Sequence, residues 1–112
     1  MRAGTAAMPP DVKKFDCIPA MRALGDEKRL RIVRLLLKRR CSVSEIVEAV
    51  GLTQYNVSKH LRILREAGLV EQEKRSQQRL YSLAAAFAKH LETKRSVLDL
   101  GCCQFDFSKL PK

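Results

Sequence analysis

No apolar run in this 112-residue sequence approaches the roughly 18 residues that a membrane-spanning helix needs. The first residues offer Arg2 but no apolar stretch before Met8, Pro9 and Pro10, so neither a spanning segment nor an export signal is expected. A glycine-rich phosphate loop and an HExxH pattern are absent, and Ser58 and His60 stand two apart on one expected helix, so their side chains diverge. These gaps argue against an enzyme. Cysteine is sparse and unevenly placed: Cys17 and Cys41 are isolated while Cys102 and Cys103 are adjacent, unlike the spread framework of a secreted mini-domain. Reduced thiols and a cytoplasmic location are expected. Acidic residues are scarce as well, 12 against 22 Lys and Arg, which leaves a formal charge of +10. So large an excess calls for a polyanionic partner, nucleic acid first. The basic residues are distributed through periodic segments and not gathered in one amphipathic arm, which disfavours a membrane surface.

What is present fits one domain, since 46% apolar residues in a chain of this length fill a single core. Residues 1–10 are expected to form a disordered arm, 11–95 the folded domain and 96–112 a short apolar tail that packs somewhere and carries the cysteine pair. Val12, Phe15, Ile18, Met21 and Leu24 recur at helical spacing over Asp11 to Leu24, with Pro19 kinking that helix or marking its true start. Gly25 stops it. Asp26 caps a second helix in which Leu30, Val33 and Leu37 form one face and Ile32 and Leu36 widen it. Its terminal Lys38, Arg39 and Arg40 have a structural explanation in the helix dipole as well as a functional one. Ser42 or Ser44 caps a short helix with Ile46, Val47 and Val50 inward, Glu45 completing a capping box if the cap is Ser42. Gly51 ends it, Thr53 caps the next helix through Val57, Leu61 and Leu64, and Gly68 terminates that. A short helix, a glycine-containing turn and a longer helix make a helix-turn-helix. The period then changes to two, with strands over Leu69 to Lys74 and Arg79 to Leu83 around a tip of Arg75 to Gln78. Leu83, Phe87 and Leu91 predict a last helix reaching about Lys94.

A recognition helix needs an apolar face toward its domain and an opposite face able to bond base edges and phosphates. With Val57, Leu61 and Leu64 inward, Gln54, Tyr55, Ser58, Lys59 and Arg62 point outward beside the Thr53 cap. Gln54 suits a bidentate contact to adenine, and Arg62 a guanine or a phosphate. The hairpin carries Lys74, Arg75, Gln77, Gln78 and Arg79, long donors that reach a phosphate or an adjacent minor groove. A solvated helix face and a soluble turn also collect such residues, and a protein-interaction module is the rival from another class.

The stretches ALGDEKRLRIVRLLL, SVSEIVEAVGLTQYNVSKHLRILREAGLV and RLYSLA resemble the ArsR/SmtB winged-helix repressors over roughly Phe15 to Leu91. The resemblance implies a mainly α fold with a small β-hairpin, the winged helix-turn-helix order α-α-α-α-β-β-α, as a homodimer built on the first and last helices. It further implies binding to double-stranded operator DNA and release by a metal ion, a metalloid or thiol oxidation. The glycine often found at the wing tip is absent. Where well-known members carry two cysteines flanking a valine, this chain has Ser42 and Ser44, so that metal site does not carry over and Cys41 reads as a small buried hydrophobe. His90 and Glu92 are two apart and make no helix-face pair.

Cys102 and Cys103 offer adjacent soft ligands for arsenite or a thiophilic metal ion, with Cys17 as a third thiolate if the terminal elements of two subunits meet. Neighbouring cysteines span about 3.8 Å between Cα atoms, too short for an easy mutual disulfide. Thiol-redox sensing by peroxide or persulfide is the alternative, and no cofactor is expected for DNA binding itself.

Overall fold

The computed structural model describes residues 17–92, 97–100 and 103–110. The expected arm 1–10, the start of the first helix at 11–16 and Cys102 lie outside the described residues.

Helix α1 is described over Cys17–Leu24 and contains Pro19. The face it buries is Ala20, Ala23 and Leu24, whereas Ile18 and Met21, assigned by period to the apolar stripe, are exposed. Two small residues let α1 approach its neighbours closely, and that decides which side turns inward. Helix α2 (Glu27–Lys38) begins at Asp26, whose carboxylate accepts from the backbone of Lys28 and Arg29, and it buries Ile32, Val33 and Leu36. Strand β1 (Cys41–Ser42) leads directly into α3 (Val43–Val50), whose capping box is formed by Ser42 and Glu45 as the spacing predicts. Gly51, at φ 72°, ends α3 with a turn that side chains rarely adopt.

Helix α4 (Gln54–Glu66) is capped by Thr53, whose hydroxyl accepts from the Asn56 backbone at 3.1 Å. It closes in a Schellman arrangement: Gly68 N–H donates to the Arg65 carbonyl, Leu69 N–H donates to the Leu64 carbonyl, and both leucines are buried. The chain then enters β2 (Val70–Arg75) and returns in β3 (Gln78–Leu83), with Arg75 opposite Gln78 and Val70 opposite Leu83. Strand β1 pairs with the other side of β3, giving the order β1-β3-β2. This is a winged helix-turn-helix, mainly helical with a small hairpin, in agreement with the expected fold.

The expected last helix is corrected. Helix α5 spans only Ala85–Ala88, after which the chain turns at Lys89 and His90 into β4 (Leu91–Glu92). Strand β4 pairs with β5 (Val97–Asp99), which pairs with β6 (Gln104–Asp106), and a single 3-10 turn follows at Phe107–Lys109. A spacing of four over three residues fits a helix and also fits a half-buried strand end, a one-turn helix and a second strand. The later apolar residues decide the matter: Leu98, Leu100 and Phe107 are buried in the same cluster as Leu61 and Phe87, and this packing holds the tail against the domain.

Two turn positions test the backbone argument. Ser76, at φ 57°, occupies the first centre of the two-residue wing turn in a conformation glycine adopts more readily, while Gly68 sits at φ 82° with open space where a Cβ would stand. We expect Ser76→Gly to stabilise by roughly 0.5–1 kcal/mol and Gly68→Ala to destabilise by about 1–2 kcal/mol. Urea midpoints that move together in one direction would contradict this account.

Candidate nucleic-acid interface

The inward face of α4 is closed: Val57 and Leu64 have no exposed surface and Leu61 has 1%. With helical geometry that leaves Gln54, Tyr55, Asn56, Ser58, Lys59 and Arg62 exposed on the other side, together with Thr53 at the cap. Tyr55, at 76% exposure, is a large side chain standing in water at the N-terminal end of the helix. Arg62 Nε lies 3.8 Å from Glu66 Oε2, with both side chains exposed, and such a pair contributes on the order of 0–1 kcal/mol and leaves the guanidinium available.

In the wing, Lys74, Arg75, Gln77, Gln78 and Arg79 are all exposed. Lys74 stands opposite Arg79 across the hairpin, a like-charge pair that weakens an isolated sheet and concentrates positive potential. Arg79 Nη1 reaches Gln72 Oε1 at 3.5 Å, and Arg75 Nε lies 3.4 Å from Glu73 Oε2. The other oxygen of Glu73 accepts from Arg40 Nη1 at 3.1 Å. Arg40, which the sequence places only at a helix end, and Asn56, which no motif singles out, therefore join this surface.

Behind α4, Arg29 gathers several elements. Its guanidinium donates to the carbonyls of Arg22 and Ala23 at the end of α1, lies 4.0 Å from Asp26 and donates from Nη1 to His60 Nδ1 at 3.2 Å. Because arginine only donates, His60 Nδ1 must be unprotonated and the ring proton sits on Nε2. Burial pushes the His60 pKa down, and Arg29 adds to this while Asp26 opposes it. Burial also raises Asp26, but the backbone N–H groups of Arg29 and Lys28 together with the Arg29 charge outweigh it and leave that carboxyl lowered.

The profile described as "Bacterial regulatory protein, arsR family" matches residues 26–72, from the α2 cap through α3 and α4 into the wing. The structure of reduced HlyU from Vibrio cholerae aligns with a TM-score of 0.59 at 35% identity, covering 62% of this chain and 73% of that one. The chain belongs to the ArsR family. In sequence this ArsR-family chain is 36% identical over 69 residues to the transcriptional activator HlyU of Vibrio cholerae, covering 62% of the chain and 64% of HlyU. It is 38% identical over 71 residues to the transcriptional repressor SmtB of Mycobacterium tuberculosis, covering 63% of the chain and 53% of SmtB. The matched region thus spans between about half and two thirds of these relatives' length. The homodimeric winged helix-turn-helix DNA-binding domain Mb0332 of Mycobacterium bovis aligns with a TM-score of 0.60 at 29% identity, covering 62% of this chain and 64% of that one. The family is one of transcriptional regulators, which agrees with the expectation of a non-enzyme.

The state of one cysteine differs from that expected of the sequence. Cys17 is disulfide-bonded, so the expectation of reduced thiols throughout is corrected and Cys17 offers no thiolate in this state. Its Sγ lies 3.5 Å from the Leu100 carbonyl oxygen of its own chain. The first helix and the tail therefore meet within one subunit. Cys103 carries a free thiol and is half-buried. Among the described residues no three of His, Cys, Asp and Glu come together as a metal site; Cys102, a member of the expected trio with Cys17 and Cys103, lies outside those residues. Cys41 is fully buried, its thiol pKa raised by burial and its Sγ 3.6 Å from the Arg39 carbonyl, consistent with a core role.

His60 makes stability depend on pH. Its folded pKa is below the ordinary 6.5, so the unfolded chain takes up the proton first; the contribution is complete above pH 6.5 and is lost as pH falls through the folded value. His60→Gln should flatten that part of the stability profile below pH 6.5, measured by urea titration at closely spaced pH values. An unchanged slope in the variant would assign the dependence to other groups.

Proposed function

We propose that this ArsR-family chain is a cytoplasmic, sequence-specific transcriptional repressor that binds double-stranded operator DNA as a homodimer. The observation that carries the reading is the division of α4 into a fully buried aliphatic face and an exposed polar one. Gln54, Tyr55 and Ser58, at the end capped by Thr53, would face base edges, with Lys59 and Arg62 reaching bases or flanking phosphates. The wing residues Lys74, Arg75, Gln77, Gln78 and Arg79 would track the backbone or the neighbouring minor groove. The name of SmtB supports repression, and the homodimeric state of Mb0332 supports a dimer. The exposed Ile18 and Met21 support a place for α1 in the dimer interface. Because α5 is a single turn, the C-terminal strands would take the place of a long last helix there.

For release from DNA, the disulfide at Cys17 favours thiol-redox sensing over a three-thiolate arsenite site. Two thiols give up two protons and two electrons to a peroxide or persulfide oxidant, with Cys17 of α1 and Cys102 of the tail as the proposed pair. The same thiols in reduced form are the soft ligands an arsenite or metal inducer requires.

An operator selected from random duplexes tests the reading. Gln54→Ala and Arg62→Ala should each reduce operator preference by about 1–3 kcal/mol, whereas Lys74→Ala should weaken all sequences alike and lower the salt slope by about one. Operator preference retained by both helix variants would remove α4 from recognition. In a second experiment, peroxide should release operator from the wild type and not from Cys17→Ser or Cys102→Ser. Release by arsenite from the reduced protein, lost in the same variants, would instead establish the metalloid reading.

A further inference from the structure

The two faces of the wing are electrically different. Adjacent residues on a strand point to opposite faces and paired residues share one. Lys74 and Arg79 therefore lie together on one face, while Glu73 projects on the other. There one carboxylate holds two guanidinium groups, Arg40 at 3.1 Å through Oε1 and Arg75 at 3.4 Å through Oε2. Arg40 comes from the far side of the sheet. It immediately precedes β1, and the row Ser42, Leu80, Glu73 runs across β1, β3 and β2, so its arm spans two strand spacings, about 10 Å. All three side chains are more than half exposed, and exposed pairs of this kind contribute little to folding after the entropy of holding long side chains is subtracted. The stability of the sheet does not account for the cluster.

We infer that Arg40 and Arg75 form a seat for a DNA backbone phosphate and that Glu73 occupies it in the free protein. The inference rests on the proposed DNA-binding role. Guanidinium groups donate to carboxylate and phosphate oxygens alike, and here each arginine takes one of the two oxygens of Glu73, as each would take one of the two free oxygens of a phosphodiester. On DNA the two arginines exchange Glu73 for phosphate, and the displaced carboxylate then repels the backbone. Glu73 therefore acts as a restraint on sequence-independent binding, which is the part of affinity that phosphate contacts dominate.

The test is binding of a mixed-sequence duplex of about 30 base pairs at several salt concentrations. Glu73→Gln should bind about three- to tenfold more tightly at low salt, with the logarithmic salt slope steeper by about one. The gain should vanish when Glu73→Gln is made in an Arg40→Gln, Arg75→Gln background, because the seat is then gone. A gain that persists in that background reflects mere loss of negative charge and overturns the inference, as does a Glu73→Gln variant that matches the wild type. If Glu73→Gln has no effect while Lys74→Ala and Arg79→Ala weaken binding, only the seat is refuted. If the wild type shows no salt-dependent binding to duplex DNA, the DNA-binding role falls with it. Thermal melting of each variant confirms that a folded protein is being compared.

Discussion

The structure depends on the burial of one aliphatic stripe, Val57, Leu61 and Leu64, against the rest of the core. A helix of 13 residues is marginal on its own in water, so α4 owes its persistence to that contact. Each of these side chains contributes on the order of 1.5–3 kcal/mol when fully buried. The same contact fixes the helix rotation about its axis and thereby dictates which side chains remain outside. It also sets where the next element starts, because Leu69 packs with Leu64 as the helix closes and the chain leaves directly into β2.

Much of this was legible because local and tertiary preferences agree. Asp26, Ser42 and Thr53 each stand before a periodic run and each caps the helix expected of it, and Gly51 and Gly68 take the positive φ that a chain reversal requires. The hairpin was legible from its change of period. The C-terminal half of the expected last helix was not, because Leu83, Phe87 and Leu91 satisfy two geometries and only the partner strand β5, remote in sequence, chooses between them. The outward turn of Ile18 and Met21 was missed for a related reason: apolar content alone does not tell an exposed stripe from a buried one, and the small residues Ala20 and Ala23 decide the approach. Hydrogen-bond partners such as Arg29 with His60, 31 positions apart, leave no sequence pattern at all.

The positive charge is distributed less simply than a net value of +10 implies. Several cations are engaged internally: Arg31 with Glu27, Arg39 with Glu45, and Arg29 with two backbone carbonyls. The like-charge cross-strand pair of Lys74 and Arg79 is a different case, since it costs the free sheet a little and gains only when an anion arrives. A surface organised in this way separates charges that hold the fold from charges held for a partner.

The hydrogen bond network at α1 and the packing of Leu98, Leu100 and Phe107 have a practical consequence for dissecting the protein. Because these C-terminal side chains fill the interior shared by the helix-turn-helix, a fragment trimmed just beyond β4 would expose an apolar hollow and not a finished surface. The last segment is a wall of the building, so events there are felt as changes of internal packing, at a distance from the groove-facing helix that no direct contact needs to bridge.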